Sequence, residues 1–216
     1  MRLTRFGHSC LLVEAGDARV LVDPGGFSHG FEELTDLDAV FVTHQHPDHI
    51  DAERLPQLLE ANGRAPLIAE PETAAQLRDS GIDAISLHPG ESVSLAGATV
   101  TAAGGDHAEI HPDIPLVGNV GLLFSAAAEP TLFHPGDSYG ATPDGVDVLA
   151  LPLTAPWARA ALTVDFARAV GAPRLLPIHD AIVSPAGRAL YVRVVTSLLP
   201  DSTTLLDPEP GSPLEV

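Results

Sequence analysis

A buried strand that runs directly into a histidine-rich loop is the feature that most limits how this chain can fold. Residues 39–51 read AVFVTHQHPDHID, an apolar run followed by four residues that can bind metal: His44, His46, Asp48 and His49. Residues two apart on an extended strand point to the same side, so His44 and His46 can aim both imidazoles at one point, which they could not do on a helix. We expect Pro47 to end the strand and to bring Asp48 and His49 to the same cavity from the start of a following helix.

Three more predicted strands end in a histidine or an aspartate, at His107, Asp137 and His179. The strands read as continuous apolar segments and alternate with helices, which is typical of sheets covered on both faces. Ligands gather at strand ends in such sheets, so we expect these side chains to meet the histidine loop in one site. The order of hairpins followed by alternating strands and helices occurs twice, which predicts two similar halves within one domain spanning residues 1–216.

Two local expectations concern proline-containing segments. The segment IDAERLPQLLEANG (50–63) is predicted to form a helix that Pro56 bends or divides. The terminal segment DPEPGSPLEV (207–216) is predicted to be a mobile tail.

The charge balance limits the partners of the protein. The chain has 29 acidic and 11 basic residues, every basic residue is arginine, and the formal net charge is −18. Such a surface repels nucleic acid, so we expect a small-molecule substrate. No stretch of the sequence has the pattern of a secretory leader or the length of a membrane span, and the lone Cys10 fits a reducing compartment, so we expect a cytoplasmic protein without a leader. The sequence leaves the oligomeric state open.

The types of the candidate ligands indicate which metals could bind and which reaction they would support. Imidazoles with one or two carboxylates suit Zn²⁺ and also accept Mn²⁺ or Fe²⁺, and the lack of cysteine ligands favours a catalytic over a structural site. Metals held in this way polarise a scissile bond and convert bound water to hydroxide near neutral pH, which indicates hydrolysis. Asp48 is the candidate catalytic residue, because it could also orient the nucleophile or move its proton.

The motif THQHPDH resembles the signature of the metallo-β-lactamase superfamily. Asp23 in VLVDPG, a downstream histidine, FHPGDS and a terminal PIHD follow in the order of that family and cover nearly the whole chain. The stretch RFGHSCLLVE further resembles the branch that contains the ascorbate-phosphate lactonase and the phospholipase D-like hydrolases. The resemblance implies an α/β fold, a four-layer αββα sandwich with two pseudo-repeated halves.

The same resemblance implies a ligand set for two metal ions, with zinc expected and manganese or iron possible. One ion would be held by His44, His46 and His107. The second would be held by Asp48, His49 and His179, with the Asp137 carboxylate between the two ions.

Several assignments stay open. His111 competes with His107 as the third ligand, although His107 follows its strand more closely. His8 is either a strand-edge residue or a substrate contact. Asp23 could orient a ligating imidazole or simply form a turn, and His134 is expected to support the site rather than to bind metal. Trp157 is expected to pack, with a place in the substrate wall as the alternative.

The function predicted from these observations is metal-dependent hydrolysis of a small ester, lactone, phosphodiester or amide. An iron redox enzyme is the alternative, but the di-iron electron-transfer branch normally has glutamate where this chain has His46. A nuclease is disfavoured by the acidic charge. A non-catalytic metal-binding protein would be marked by a degraded ligand set, and this set is intact.

Overall fold

Two β-sheets of seven strands each form the centre of the protein, which a computed structural model describes over residues 1–216. The first sheet contains β1 (Arg2–Arg5), β2 (Leu11–Ala15), β3 (Ala18–Val22), β4 (Ala39–Val42), β5 (Leu67–Ala69), β6 (Ile85–Ser86) and β14 (Pro213–Glu215), in the order β14-β1-β2-β3-β4-β5-β6. The second contains β7 (Ser92–Leu95), β8 (Ala98–Ala103), β9 (Gly121–Ala126), β10 (Leu132–His134), β11 (Val148–Pro152), β12 (Arg174–Ile178) and β13 (Thr204–Leu205), in the order β13-β12-β11-β10-β9-β8-β7.

Four helices cover the outer faces of the two sheets: α1 (Leu55–Ala61), α2 (Pro71–Asp79), α3 (Ala160–Val170) and α4 (Pro185–Thr196). One apolar core lies between the sheets, where Phe41 of the first meets Phe124 of the second edge to face, with ring centroids 6.5 Å apart. A second core joins α1 and α2 to the first sheet, and a third joins α3 and α4 to the second sheet. The layers therefore run αββα, and the predicted fold is confirmed.

The two sheets follow the same plan. Each begins with antiparallel hairpins, β1-β2-β3 in the first and β7-β8-β9-β10 in the second. Each then continues with parallel strands, β3-β4-β5-β6 and β10-β11-β12-β13. All residues of β4 and β11 are buried, because a sheet enclosed between a helix layer and another sheet has no solvent-facing side. The prediction of two similar halves holds.

The predicted helix within residues 50–63 is present as α1, but the expectations for its start and for Pro56 are wrong. The chain stays irregular after His49, and α1 begins only at Leu55, so Asp48 and His49 lie in a loop rather than at a helix start. Pro56 lies in the first turn of α1 and does not bend it, since a backbone N–H at that position would have no partner within the helix anyway.

The prediction of a mobile C-terminal tail is also wrong. Residues 213–215 form β14, which pairs antiparallel with β1, and the N–H of Gly211 donates to the carbonyl oxygen of Arg5 at 2.7 Å. Asp207 accepts two hydrogen bonds from the Arg188 guanidinium of α4, at 2.9 and 2.6 Å. None of the helices combines the length and the hydrophobicity that a membrane span requires.

Candidate metal centre

All seven predicted ligands lie together, in two adjoining groups at the ends of strands from both sheets. The ligand atoms of each group lie within 4.8 Å of one another. The first group is His44, His46, His107 and Asp137, and the second is His8, Asp48, His49 and His179. The structure therefore adds one residue, His8, to the predicted set.

Asp137 lies between the two groups. Its Oδ1 is 3.1 Å from Nε2 of His49, and its Oδ2 is 3.0 Å from Nε2 of His179 and 3.5 Å from Nε2 of His107. Asp48 is on the side of the second group, where its Oδ2 is 3.4 Å from Nε2 of His179. One carboxylate thus contacts both groups, and the other contacts only the second.

His44 and His46 of the first group are neutral imidazoles. Nε2 of His44 and Nδ1 of His46 lie 3.1 Å apart, as the strand spacing predicts for side chains on the same side. Burial lowers the pKa of His44 far below its usual value, and burial together with the neighbouring His107 lowers the pKa of His46. These rings keep their lone pairs available at neutral pH.

In the second group, His49 and His179 carry a proton on both ring nitrogens while no metal is bound. Burial opposes protonation of His49, but the charges of Asp137 and Asp23 outweigh it and raise its pKa well above the usual value. For His179, the carboxylates of Asp137 and Asp48 likewise outweigh burial and raise the pKa to about 9. In the metal-free protein, the protons on His49 and His179 thus compensate the negative charges of the neighbouring aspartates.

Three histidines are oriented by hydrogen bonds from Nδ1. His107 and His179 donate to the carbonyl oxygens of Ala108 and Thr154, each at 2.6 Å. His49 donates to Oδ2 of Asp23 at 2.7 Å. An imidazole that donates from Nδ1 presents the lone pair of Nε2, as metal-ligating histidines do when a carbonyl or carboxylate orients them.

Four buried atoms that face the interior of the site have no hydrogen bond of normal geometry: Nε2 of His49, His107 and His179, and Oδ1 of Asp137. Buried polar atoms without partners are rare in proteins because each costs about 1–3 kcal/mol. Two metal ions, one in each group, would give all four atoms a partner, and the mixed imidazole and carboxylate donors suit Zn²⁺, Mn²⁺ or Fe²⁺. The residues present therefore fit the metal pair that the motif predicts.

The histidine loop is fixed by Asp23 and Gly25. Asp23 accepts hydrogen bonds from the backbone N–H and the hydroxyl of Thr43, both at 2.8 Å, as well as from His49. At Gly25 an added Cβ would lie 1.8 Å from the carbonyl oxygen of Asp48, so no other residue allows the two backbones to approach so closely. The predicted supporting role of Asp23 agrees with these contacts.

The Asp137 loop is held by Asn119 and Trp157. Asn119 accepts a hydrogen bond from the N–H of Asp137 at 2.9 Å and donates to the carbonyl oxygen of Pro135 at 2.9 Å. The indole Nε1 of Trp157 donates to Oδ2 of Asp137 at 3.0 Å. Gly136 has φ +61°, and a Cβ there would lie 2.2 Å from Oδ1 of Asn119. Asn119 was not predicted, since no pattern near it in sequence marks its contact with Asp137.

His111 and His134 are two of the four histidines that lie outside the groups. His111 is on the surface, with its side chain 61% exposed and Nδ1 3.7 Å from Asp113. His134 is fully buried, with Nε2 donating to the carbonyl oxygen of Ser9 at 2.9 Å and Nδ1 accepting from the N–H of Gly136 at 3.2 Å. His134 thus supports the loop before Asp137, as predicted, and contributes no atom to either group.

We expect His107 and His111 to behave differently when each is changed to alanine. His107→Ala should lower the metal content per chain and the melting temperature together, because Nε2 of His107 is buried among the ligands. His111→Ala is the matched control and should leave both near the wild-type values. Elemental analysis and thermal unfolding of the two purified variants measure this, and loss of metal in His111→Ala alone would reverse the assignment.

Comparisons with known proteins agree with this geometry. The family model described as "Beta-lactamase superfamily domain" matches residues 2–179. The chain is 50% identical over 199 residues to Protein Rv0786c of Mycobacterium tuberculosis, with 92% of each chain covered. It is 30% identical over 195 residues to a UPF0173 metal-dependent hydrolase of Alkaliphilus metalliredigens, covering 83% of this chain and 85% of that one. The fold is similar to that of the metallo-beta-lactamase fold protein YhfI from Bacillus subtilis, at a TM-score of 0.75, 19% identity, and coverage of 100% and 98%.

Proposed function

The chain is a metal-dependent hydrolase of the metallo-β-lactamase superfamily, and we propose that it uses two metal ions to hydrolyse a small, uncharged ester, lactone or amide. The observation that carries this proposal is the convergence of unpartnered Nε2 atoms from His49, His107 and His179 on the Asp137 carboxylate. We propose zinc for both ions, because imidazole-rich sites with few carboxylates favour it.

The proposed division of ligands follows the contacts. His44, His46 and His107 would hold one ion, and Asp48, His49 and His179 the other, with Asp137 shared. When bound, the metals act as Lewis acids that lower the pKa of water and polarise the scissile bond. Trp157 keeps Asp137 in place through its Nε1–H, and Asp23 keeps Nε2 of His49 directed inward.

Asp48 is proposed to orient the attacking water. Burial would raise the pKa of Asp48, but hydrogen bonds from His179 and His8 outweigh it and hold the pKa far below its usual range. A carboxylate that stays ionised is a good hydrogen-bond acceptor and a poor proton store, so Asp48 would align the water rather than keep its proton. Its side chain is 21% exposed, which leaves it accessible to a substrate.

A cavity of about 580 Å³ beside the first group is the proposed substrate pocket. His107 and Trp157, which both contact Asp137, line it, and Leu162 and Phe166 of α3 form an apolar wall. Its volume lies within the range of small-molecule sites. Ile114 and Leu116, 50% and 55% exposed, line a smaller hollow with His46 and His107, so apolar surface lies on that side of the site too.

The charge of this cavity argues against anionic substrates. Three carboxylates line it, Asp106, Glu109 and Asp165, and none of them forms an ion pair. No arginine lines the cavity, and the chain contains no lysine. A phosphate or a second carboxylate on the substrate would be repelled, which favours uncharged esters, lactones and amides over phosphodiesters.

The substrate preference gives a direct test of the proposed function. We expect kcat/KM for p-nitrophenyl butyrate to exceed that for bis(p-nitrophenyl) phosphate by about tenfold or more at low salt, where repulsion is least screened. Asp165→Asn should lower the ratio of the two kcat/KM values. Asp201→Asn, on a surface outside the cavity, should leave the ratio unchanged. A preference for the phosphodiester would contradict the charge argument, and no turnover of esters, lactones or amides by the metal-loaded protein would contradict the proposed function.

We further propose that the enzyme works in the cytoplasm on a small molecule, without a nucleic-acid partner. The single cysteine, Cys10, is buried and unpaired, as expected in a reducing compartment. The net charge of −18 opposes binding to nucleic acid.

A further inference from the structure

His8 lies within the second group of ligands, but its hydrogen bonds differ from those of the other histidines there. The residue is fully buried, and its ring centroid lies 4.0 Å from that of His179 and 5.8 Å from that of His49. Its Nε2 is 3.1 Å from Oδ2 of Asp48, in a hydrogen bond of normal geometry. Nε2 of His8 is therefore already satisfied, unlike Nε2 of His49 and His179.

The partner of the second ring nitrogen determines where the proton of His8 lies. The backbone N–H of Ala181 donates to Nδ1 of His8 at 3.3 Å. A backbone N–H can only donate, so Nδ1 presents its lone pair, and the single proton of the neutral ring must be on Nε2. The proton of the neutral His8 ring thus lies on Nε2, whereas His49 and His179 donate from Nδ1 to protein acceptors and direct Nε2 into the site.

We propose that His8 is a positioning residue that holds the Asp48 carboxylate for the second metal, and that it is not itself a ligand. This inference rests on the proposed function, since it gives Asp48 a metal to bind. The Nε2–H of His8 donates to Oδ2 of Asp48, the oxygen that also lies 3.4 Å from Nε2 of His179, and a carboxylate that accepts one hydrogen bond keeps further lone pairs for a metal. Coordination through Nε2 would require this proton to leave while Nδ1 still accepts from Ala181, which a neutral imidazole does not allow.

The backbone of His8 connects the same loops. Its carbonyl oxygen accepts a hydrogen bond from the N–H of His179 at 3.0 Å. Both residues have left-handed backbone conformations, with φ of +44° for His8 and +57° for His179, which non-glycine residues adopt at a cost when surrounding contacts enforce them. Phe27 packs edge-on against the His8 ring at 5.3 Å. One residue thus links the loop after β1 to the Asp48 loop and the His179 loop.

Two substitutions separate the hydrogen bond from the space that the ring fills. In His8→Gln the side-chain amide can place an N–H donor near the position of Nε2, whereas in His8→Asn the shorter amide reaches only the position of Nδ1. Zinc titration of the metal-free proteins against a chromogenic chelator measures each affinity, and the visible spectrum of the Co²⁺ form reports the geometry of each site. His29→Asn, at an exposed histidine on a neighbouring loop, is the control.

We expect His8→Asn to bind the first metal like the wild type and the second about 10- to 100-fold more weakly, the usual effect of losing a residue that orients a ligand. His8→Gln should bind both metals within a few-fold of the wild type and keep the Co²⁺ spectrum. Wild-type affinity for both metals in His8→Asn would overturn the inference. An equal loss of affinity for the second metal in both variants would also overturn the inference, because the ring would then act as a ligand or only fill space.

The same titration separates this inference from the proposed function. A wild-type protein that takes up fewer than two ions would contradict the two-metal site before any variant is compared. If His8→Asn does not fold, His8→Gln decides the question alone: a wild-type second site supports the positioning role, and a lost or altered second site overturns it.

Discussion

Asp137→Ala is expected to abolish hydrolysis, with kcat/KM falling by about three decades or more. Asp137 is the one carboxylate within 3.5 Å of His49, His107 and His179, so it contacts both groups of ligands. Without it, each half of the site loses its shared anion, and Trp157 loses the acceptor for its Nε1–H. We therefore expect the variant to retain at most one tightly bound metal per chain.

Metal content and activity of this variant should be measured on the same preparation. Asp144→Ala is a suitable control, because Asp144 is an exposed acid only seven residues further along the chain and makes no side-chain hydrogen bond or ion pair. We expect that control to keep two metals and full turnover. An Asp137→Ala protein that hydrolyses substrate at a rate near that of the wild type would show that the carboxylate does not organise the site.

Removing the metals with a chelator is expected to lower the melting temperature by about 10 °C. An ion present at a thousand times its dissociation constant contributes about 4 kcal/mol, and each kcal/mol shifts the midpoint of a protein of this size by roughly 2–4 °C. The structural cause is the set of buried atoms on His49, His107, His179 and Asp137 that form no hydrogen bond of normal geometry within the protein. Adding Zn²⁺ back should restore the midpoint, while a metal-free protein as stable as the original would contradict a bound metal pair.

The gap between the two melting temperatures should widen as the pH rises. In the metal-free protein His179 has a pKa of about 9, above the value of 6.5 for an unperturbed histidine. Protonated His179 therefore stabilises the metal-free fold fully below about pH 6.5, and this contribution is lost as the pH rises through about 9. The metal-bound protein has no proton to lose there. Thermal unfolding with and without chelator between pH 6.5 and 9 measures the difference, and a constant gap would contradict the charge balance of the second group.

Much of the candidate site could be predicted because its signals are local. His44 and His46 were predicted to direct both rings to one side, and their nitrogens lie 3.1 Å apart, although β4 ends at Val42, before Pro47, and residues 43–45 form a bend rather than a continued strand. The strand ends at His107, Asp137 and His179 meet because β8, β10 and β12 run in the same direction within one sheet, so their carboxyl ends lie at the same edge. The layers of sheet and helix could be predicted because strands that are apolar throughout must be covered on both faces.

The features that the sequence did not reveal depend on partners far away in the chain. His8 reaches its role through Asp48, 40 residues later, and Ala181, 173 residues later. The three residues of β14 carry no periodic pattern of their own and form a strand only because β1 offers an unpaired edge. The effect of Pro56 was predicted wrongly because it depends on where α1 begins. Since the helix begins at Leu55, the proline lies in its first turn, where it causes no bend.

The pairing of β14 with β1 means that the two halves, although alike in plan, are not separable modules. The outermost strand of the first sheet follows α4 and β13 of the second half, and the N–H of Val216 donates to the carbonyl oxygen of Met1 at 3.0 Å. A chain split between β6 and β7 would give a first fragment with an open sheet edge and a second fragment carrying the strand that closes it. The second fragment would donate β14 to the open edge of the first. A cut between β6 and β7 is therefore a suitable place for complementation between two separately made pieces.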